Sequence, residues 1–173
     1  STALFNNIAM KCMQQLAFGT NIYHVDTTSF GVHGDYEGLD CNPAMEITLG
    51  HPKDGRWDLK QFIVSMVTNQ CGIPLFVQAH SGNKSDKKTL IETIQMFKSN
   101  LDFSGKNYFA ADSALFSSEN IRLLGDSTLW ITRVPTTVRE VKDLQRRDLE
   151  MKTCSDDRYS ILETEINYGG IDQ

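Results

Sequence analysis

Apolar residues recur at helical spacing in two long segments of the chain. Residues 2–17 place apolar side chains three or four positions apart, and Gly19 is a natural stop after them. The segment 85–101 has the same periodicity, and Ser85 or Asp86 can cap its first turn. We therefore predict a helix over each of these two segments.

Five shorter runs predict β-strands, because they are continuously apolar or alternate between apolar and polar residues. They cover residues 22–30, 61–70, 73–79, 107–112 and 128–134. Cys71 and Gly72 predict a tight turn between the second strand and the third.

Two shorter helices are predicted in the second half of the chain. Residues 118–124 have the length and pattern of a small helix, and Gly125 closes it. Thr137 and Glu140 have the spacing of a capping box, which predicts a helix from there to about Leu149.

The order of these elements predicts a mixed α/β fold. Three sequential strands joined by short connections favour an antiparallel meander. The helix before residues 107–112 can cross over, so that this strand lies parallel to the first strand and next to it. Helices follow the later strands, and we expect them to cover the sheet on both faces. Residues 158–168 alternate loosely and predict irregular strands.

Composition narrows the class of protein. A chain of 173 residues can bury one main core. It has no apolar run of membrane-spanning length and no signal-peptide pattern, so we expect no membrane association. The four cysteines are scattered without metal-binding spacing, which favours a reducing cytoplasm. The net charge of −5 is unfavourable for a nucleic-acid binder, which needs clustered Lys and Arg.

Two aspartates carry the candidate chemistry. Asp26 and Asp112 each end a strand-like run and precede small or hydroxylated residues. On neighbouring strands, their carboxylates would form an oxygen site that suits Mg²⁺ and phosphoryl transfer. Alternatively, Asp26 caps a turn and Asp112 caps a helix. A hydrolase with an aspartyl-phosphate intermediate usually needs a second aspartate two residues after the first, where Thr28 stands here.

Four phrases in order resemble the catalytic core of DDE-type insertion-sequence transposases, in the large bacterial superfamily named after insertion sequence four. They are HVDTTSFGVHGDY, ITLGHPKDGRWDLKQF, GIPLFVQAHSGNKSDKKTL and YFAADSALFSSENI. The resemblance runs from about residue 21 to about residue 135. It implies a ribonuclease-H-like fold: a mixed sheet flanked by helices, in which Asp26 and Asp112 match the family's first and second acids.

The resemblance also implies a function. A transposase core cleaves DNA strands at insertion-sequence ends and transfers them, using Mg²⁺ or Mn²⁺ in a two-metal site. Asp26 would bridge the metals and Asp112 would hold one of them. The implied partners are double-stranded DNA, at transposon ends and target, and a second copy of the chain, in the bacterial cytoplasm at the nucleoid. The implied organisation is a helix over 1–20, a core over 21–150 and the start of a β-rich insertion over 151–173.

The family's third acid is a glutamate on a helix that follows the insertion, and its sequence context does not occur before Gln173. Glu163 and Glu165 lie in a different context, so we do not assign them this role. We therefore expect a core that stops before the third acid, with weak metal affinity and poor or absent strand cleavage. The alternatives are a catalytically inactive DNA-binding or dimerising remnant, and an α/β domain without either activity.

Basic residues near the acids are candidates for contacts with DNA phosphates. Lys53, Arg56 and Lys60 form a basic loop, and Arg133 ends a strand that should border the acids. For the loop, a solvated charged surface is the alternative. The histidines in predicted polar loops, which we expect to be solvated or hydrogen-bonded, are His33, His51 and His80.

Overall fold

The chain forms two compact units, Ser1–Thr132 and Arg133–Gln173. The computed structural model describes residues 2–16, 21–36, 45–52, 54–100, 106–125, 128–156 and 158–172. The elements of the first unit are α1 (Thr2–Leu16), β1 (Ile22–Val32), β2 (Lys60–Asn69), β3 (Pro74–Ser81), α2 (Asp86–Ser99), β4 (Tyr108–Ala111), α3 (Ser118–Leu124) and β5 (Leu129–Thr132). Those of the second unit are α4 (Arg139–Gln145), β6 (Lys152–Thr153), β7 (Ser160–Ile161), β8 (Asn167–Tyr168) and β9 (Ile171–Asp172).

A five-stranded mixed sheet forms the centre of the first unit, with the strand order β3-β2-β1-β4-β5. The strand β2 is antiparallel to both β1 and β3, and Gly72 makes the turn after β2 with a φ of 78°. The strand β4 is parallel to β1, and β5 is parallel to β4. The predicted mixed α/β sheet, its meander and its parallel β1–β4 pair are therefore confirmed.

The core of the first unit lies on one face of this sheet. Alternate residues of β1 and β2 are buried there, which is the period-2 pattern of a strand with one covered face. The helices α1, α2 and α3 all contribute to this core. Its fully buried large side chains include Phe76, Phe97, Phe109, Leu75, Leu90 and Ile94.

The opposite face of the sheet is open in the described part of the first unit. Phe30 and Met66 are 46% and 38% exposed, and Ile131 is 53% exposed, although all three belong to strands. The expectation that helices cover both faces is therefore wrong for this unit. The three helices share one core instead, and the intervening residues of β1 remain accessible to solvent.

The predicted helix ends are confirmed for α3, whereas the predicted start of α4 is wrong. The helix α3 has its predicted bounds: the Ser117 hydroxyl accepts a hydrogen bond from the Asn120 amide, and Gly125 follows with a φ of 62°. The predicted capping box at Thr137 is wrong. A turn from Pro135 to Val138 delays the helix, so α4 begins after Val138 without a side-chain cap.

The second unit consists of α4 and two short hairpins, β6 with β7 and β8 with β9. Each strand described in it has two residues, and β7 and β8 lie within the stretch 158–168 that predicts irregular strands. In the described parts of both units, no helix has the length and apolar character needed to cross a membrane.

Candidate functional site

Asp26 lies inside a long strand. It is the fifth of the 11 residues of β1 and is paired with Met66 of β2. The predictions that Asp26 ends a strand or caps a turn are therefore wrong. Its side chain is exposed, because the buried neighbours Val25 and Thr27 take the core face and Asp26 takes the open face. One carboxylate oxygen, Oδ1, accepts a hydrogen bond of 2.7 Å from the amide of Thr27.

Asp112 follows the last residue of β4 and is also exposed. Its Oδ1 accepts a hydrogen bond of 2.9 Å from the amide of Ala114, which makes it the first residue of a tight turn. The carbonyl oxygen of Asp112 accepts a 2.5 Å hydrogen bond from the Thr132 hydroxyl of β5. The helix-cap alternative for Asp112 is wrong, because the residue that caps α3 is Ser117.

Strand register brings the two acids together. The parallel pairing of β1 and β4 ends with Val25 opposite Ala111, and the next residue of each chain segment is an aspartate. Neighbouring strands lie about 4.8 Å apart, so the two aspartates begin from adjacent backbone positions. The predicted neighbourhood of Asp26 and Asp112 at the end of a parallel pair is therefore present in the fold.

A layer of buried polar side chains lies behind Asp26, on the core face of the sheet. Thr27, Ser65 and His80 are 5%, 0% and 3% exposed, and Thr27 pairs with Ser65 across β1 and β2. The Ser65 Oγ and the His80 Nε2 are 2.8 Å apart. The prediction that His80 lies in a polar loop is wrong, since it belongs to β3. The sequence signal for this layer is the alternation itself, which assigns residues flanking Asp26 to the covered face.

The buried His80 imidazole makes the stability of the chain depend on pH. Burial lowers the pKa of His80 below its usual 6.5, the charge of Lys84 lowers it further, and Glu92 opposes both. As pH falls through about 6.5, the unfolded chain takes up a proton that the folded chain resists. We therefore expect the free energy of unfolding to fall below that pH, by at most about 1.4 kcal/mol per pH unit.

Urea unfolding near neutral pH and near pH 5.5 measures this effect. Subtracting the same difference for the His80→Gln variant isolates the contribution of His80 from that of the acidic residues. An equal pH dependence in the variant and the wild-type chain would rule out the contribution.

Two of the predicted phosphate-contact residues, Arg56 and Lys60, have acidic partners. Arg56 donates hydrogen bonds of 2.8 and 2.7 Å to both carboxylate oxygens of Asp58, which lowers the pKa of Asp58 to about 2. The Lys60 ammonium lies 3.7 Å from the carboxylate of Asp35. These pairs favour the solvated charged surface over free phosphate-binding cations.

Four further residues considered in the sequence analysis are not among the described residues of the first unit. Lys53 lies outside the described residues. Arg133 is exposed and follows Thr132 directly, as the first residue of the second unit. Glu163 and Glu165 are both exposed in the second unit, between β7 and β8.

The site is a pair of acids in the part of the chain that the structure describes. No group of three or more His, Cys, Asp or Glu side chains in those residues could hold a metal ion. The pair can still supply two carboxylates to a cation whose other ligands are water or substrate oxygens. Comparison of the sequence with protein-family models found no match, and comparison with curated proteins found none either.

Proposed function

We propose that the first unit carries part of a divalent-cation site for phosphoryl transfer on DNA, of the kind that DDE-type insertion-sequence transposases use. The observation that carries the proposal is the register of β1 and β4. Their last parallel pair is Val25 with Ala111, and the residue that follows each of these two is an aspartate. Both side chains are exposed, so a DNA phosphate could reach them.

The topology of the sheet supports the same proposal. In the ribonuclease-H-like arrangement that the sequence predicts, the first three strands form an antiparallel meander and the strand before Asp112 lies parallel to the first. The strand order of this chain is β3-β2-β1-β4-β5, with β2 antiparallel to its two neighbours and β4 and β5 parallel to β1. A shared fold does not by itself imply a shared function, so the two acids carry the proposal.

The donor set fits Mg²⁺ or Mn²⁺. Mg²⁺ is commonly bound by one or two carboxylates, water and substrate phosphates, without a complete protein cage. Asp26 and Asp112 would hold the cation, which supplies charge neutralisation at the phosphoryl group when it is bound. The chain contributes the placement of the two oxygens: β1 holds Asp26 in a paired strand, and the turn at Ala114 with the Thr132 hydroxyl holds Asp112.

Two carboxylates predict a limited activity. A third acid would complete the cage of a two-metal site, and the described residues contain no group of three candidate ligands. We therefore propose weak cation affinity and little or no strand cleavage by this chain. The resemblance further implies cleavage and strand transfer at insertion-sequence ends, pairing of two copies on DNA and a place at the bacterial nucleoid, and we propose these as well.

DNA binding with and without cation tests the proposed function. We expect the chain to bind a fluorescent DNA duplex more tightly with Mn²⁺ than with EDTA, at constant ionic strength, because the cation bridges the carboxylates and a phosphate. Equal affinity in both conditions would contradict the proposal and favour the inactive DNA-binding remnant. No binding in either condition would contradict both.

A further inference from the structure

Thr27 directly follows Asp26 and faces the other side of the sheet. Its side chain is 5% exposed, whereas that of Asp26 is exposed. The Thr27 hydroxyl donates a hydrogen bond of 3.1 Å to Oδ1 of Asp86, and the Thr27 amide donates one of 2.7 Å to Oδ1 of Asp26. One residue therefore joins the candidate metal ligand to a second carboxylate on the far side of the sheet.

The pairing of β1 within the sheet changes at Asp26. Up to Val25 it is paired on both sides, with β2 and with β4. From Asp26 to Val32 the described pairing of β1 is with β2 alone. A strand with one ladder is held less firmly than a strand with two, because it forms fewer hydrogen bonds to neighbouring strands. Asp26 thus stands at the first position after β1 loses its parallel neighbour.

The hydrogen bond from Thr27 joins β1 to the first turn of α2, a helix that packs on the core. Asp86 is the first residue of α2, where a carboxylate interacts favourably with the helix dipole. The inner face of α2 is fully packed: Leu90 and Ile94 are 1% and 0% exposed. The Thr89 hydroxyl also donates a 3.0 Å hydrogen bond to the carbonyl oxygen of Ser85, which closes the first turn. The contact therefore joins β1 to a packed helix just after the position where its parallel pairing with β4 ends.

We propose that Thr27 and Asp86 are positioning residues for Asp26. The Thr27–Asp86 hydrogen bond holds the backbone of β1 at the acid, and it does so from the core face, where it cannot touch the cation itself. The inference rests on the proposed function, since it concerns the same cation site. It assigns a role to Asp86, a carboxylate that lies on the opposite face of the sheet from the candidate ligands.

Mn²⁺ titration of Thr27→Val tests the proposed role. Valine has the shape of threonine without the hydroxyl, so we expect the Kd for Mn²⁺, read from the electron paramagnetic resonance signal of the free ion, to rise about tenfold. The matched control is Thr93→Val, which removes another buried hydroxyl, one that donates 2.7 Å to the carbonyl oxygen of Thr89. The control should lower the melting temperature and leave the Kd within about twofold, because α2 does not carry the ligands.

Three further variants separate the hydrogen bond from packing and charge. Thr27→Ser keeps the hydroxyl and should bind Mn²⁺ like the wild-type chain. Asp86→Ala should raise the Kd as Thr27→Val does, whereas Asp86→Asn keeps an oxygen acceptor without the charge and should raise it less than about threefold. Equal Kd values for Thr27→Val, Thr93→Val and the wild-type chain would overturn the inference alone. No Mn²⁺ binding by the wild-type chain would overturn the proposed function and this inference with it.

Discussion

Exchange of Asp26 for asparagine is expected to weaken Mn²⁺ binding by about 100-fold. Loss of an outer hydrogen-bond partner of a metal ligand already costs about 10–100-fold in metal affinity, and Asp26 would be a ligand itself. Asparagine keeps the size and one oxygen but removes the charge that a hard cation requires. The backbone pairing of β1 with β2 does not depend on this side chain, so the fold should persist. Isothermal titration with Mn²⁺ measures the change, and circular dichroism checks the fold.

Asp112→Asn should have an effect of similar size, because register places Asp112 next to Asp26. Asp54→Asn is a matched control in the same unit. Asp54 is also exposed, and its Oδ1 accepts a 3.1 Å hydrogen bond from the Arg56 amide, as that of Asp112 does from Ala114. The control should leave the affinity unchanged. Comparable losses in all three variants would show that Mn²⁺ responds to net charge and would contradict the assigned site.

Alanine at Gly82 is expected to cause the largest loss of stability. An added Cβ would lie 2.0 Å from the carbonyl oxygen of Gln61 and 2.7 Å from that of Thr48, and both are backbone atoms. These groups form a connected network, since Thr48 and Gln61 exchange two backbone hydrogen bonds and the Gln61 side chain donates 2.7 Å to the Gly82 carbonyl oxygen. Overpacking costs about 1–3 kcal/mol and each lost hydrogen bond about 1 kcal/mol, so we expect a loss of about 3 kcal/mol or more.

Urea denaturation measures this loss, and alanine variants of two other glycines serve as a second test and a control. In Gly50→Ala the added Cβ would lie 2.0 Å from the Gly82 carbonyl oxygen, which belongs to the same network. This variant should be similarly destabilising. Gly31→Ala is the control, because the nearest atom, at 3.3 Å, is the end of the flexible Leu59 side chain. The explanation by close backbone approach fails if Gly82→Ala and Gly31→Ala lose the same free energy of unfolding.

Elements specified by neighbouring residues could be predicted from the sequence. The helix α3 has its predicted bounds because a serine cap and a closing glycine act within one turn of the helix. The strands β2 and β3 were predictable because alternation and a glycine turn define a hairpin locally. To predict that Asp26 and Asp112 are adjacent, one must also assume that α2 is a crossover connection. The parallel pairing of β1 and β4 confirms this assumption.

Other features depended on distant parts of the chain and were missed. His80 has polar neighbours in sequence, yet it is buried, because β3 pairs with β2 and the His80 ring forms a hydrogen bond with Ser65. The capping box at Thr137 failed because the turn after Pro135 competes for the same residues. The sequence predicts Asp26 at a strand end, whereas pairing with β2 extends β1 to Val32.

The sequence by itself determined the periodicity of the elements and the presence of two candidate acids, because spacing and turn chemistry act over a few residues. The tertiary structure alone decided where β1 ends and which strands flank it, since strand pairing joins distant parts of the chain. It decided the one-sided core, the partnering of Thr27 with Asp86, 59 positions apart in the chain, and the close approach of Gly82 to Gln61. Contacts between residues this far apart arise only when the strands pair and α2 packs on them, so no local pattern could specify them.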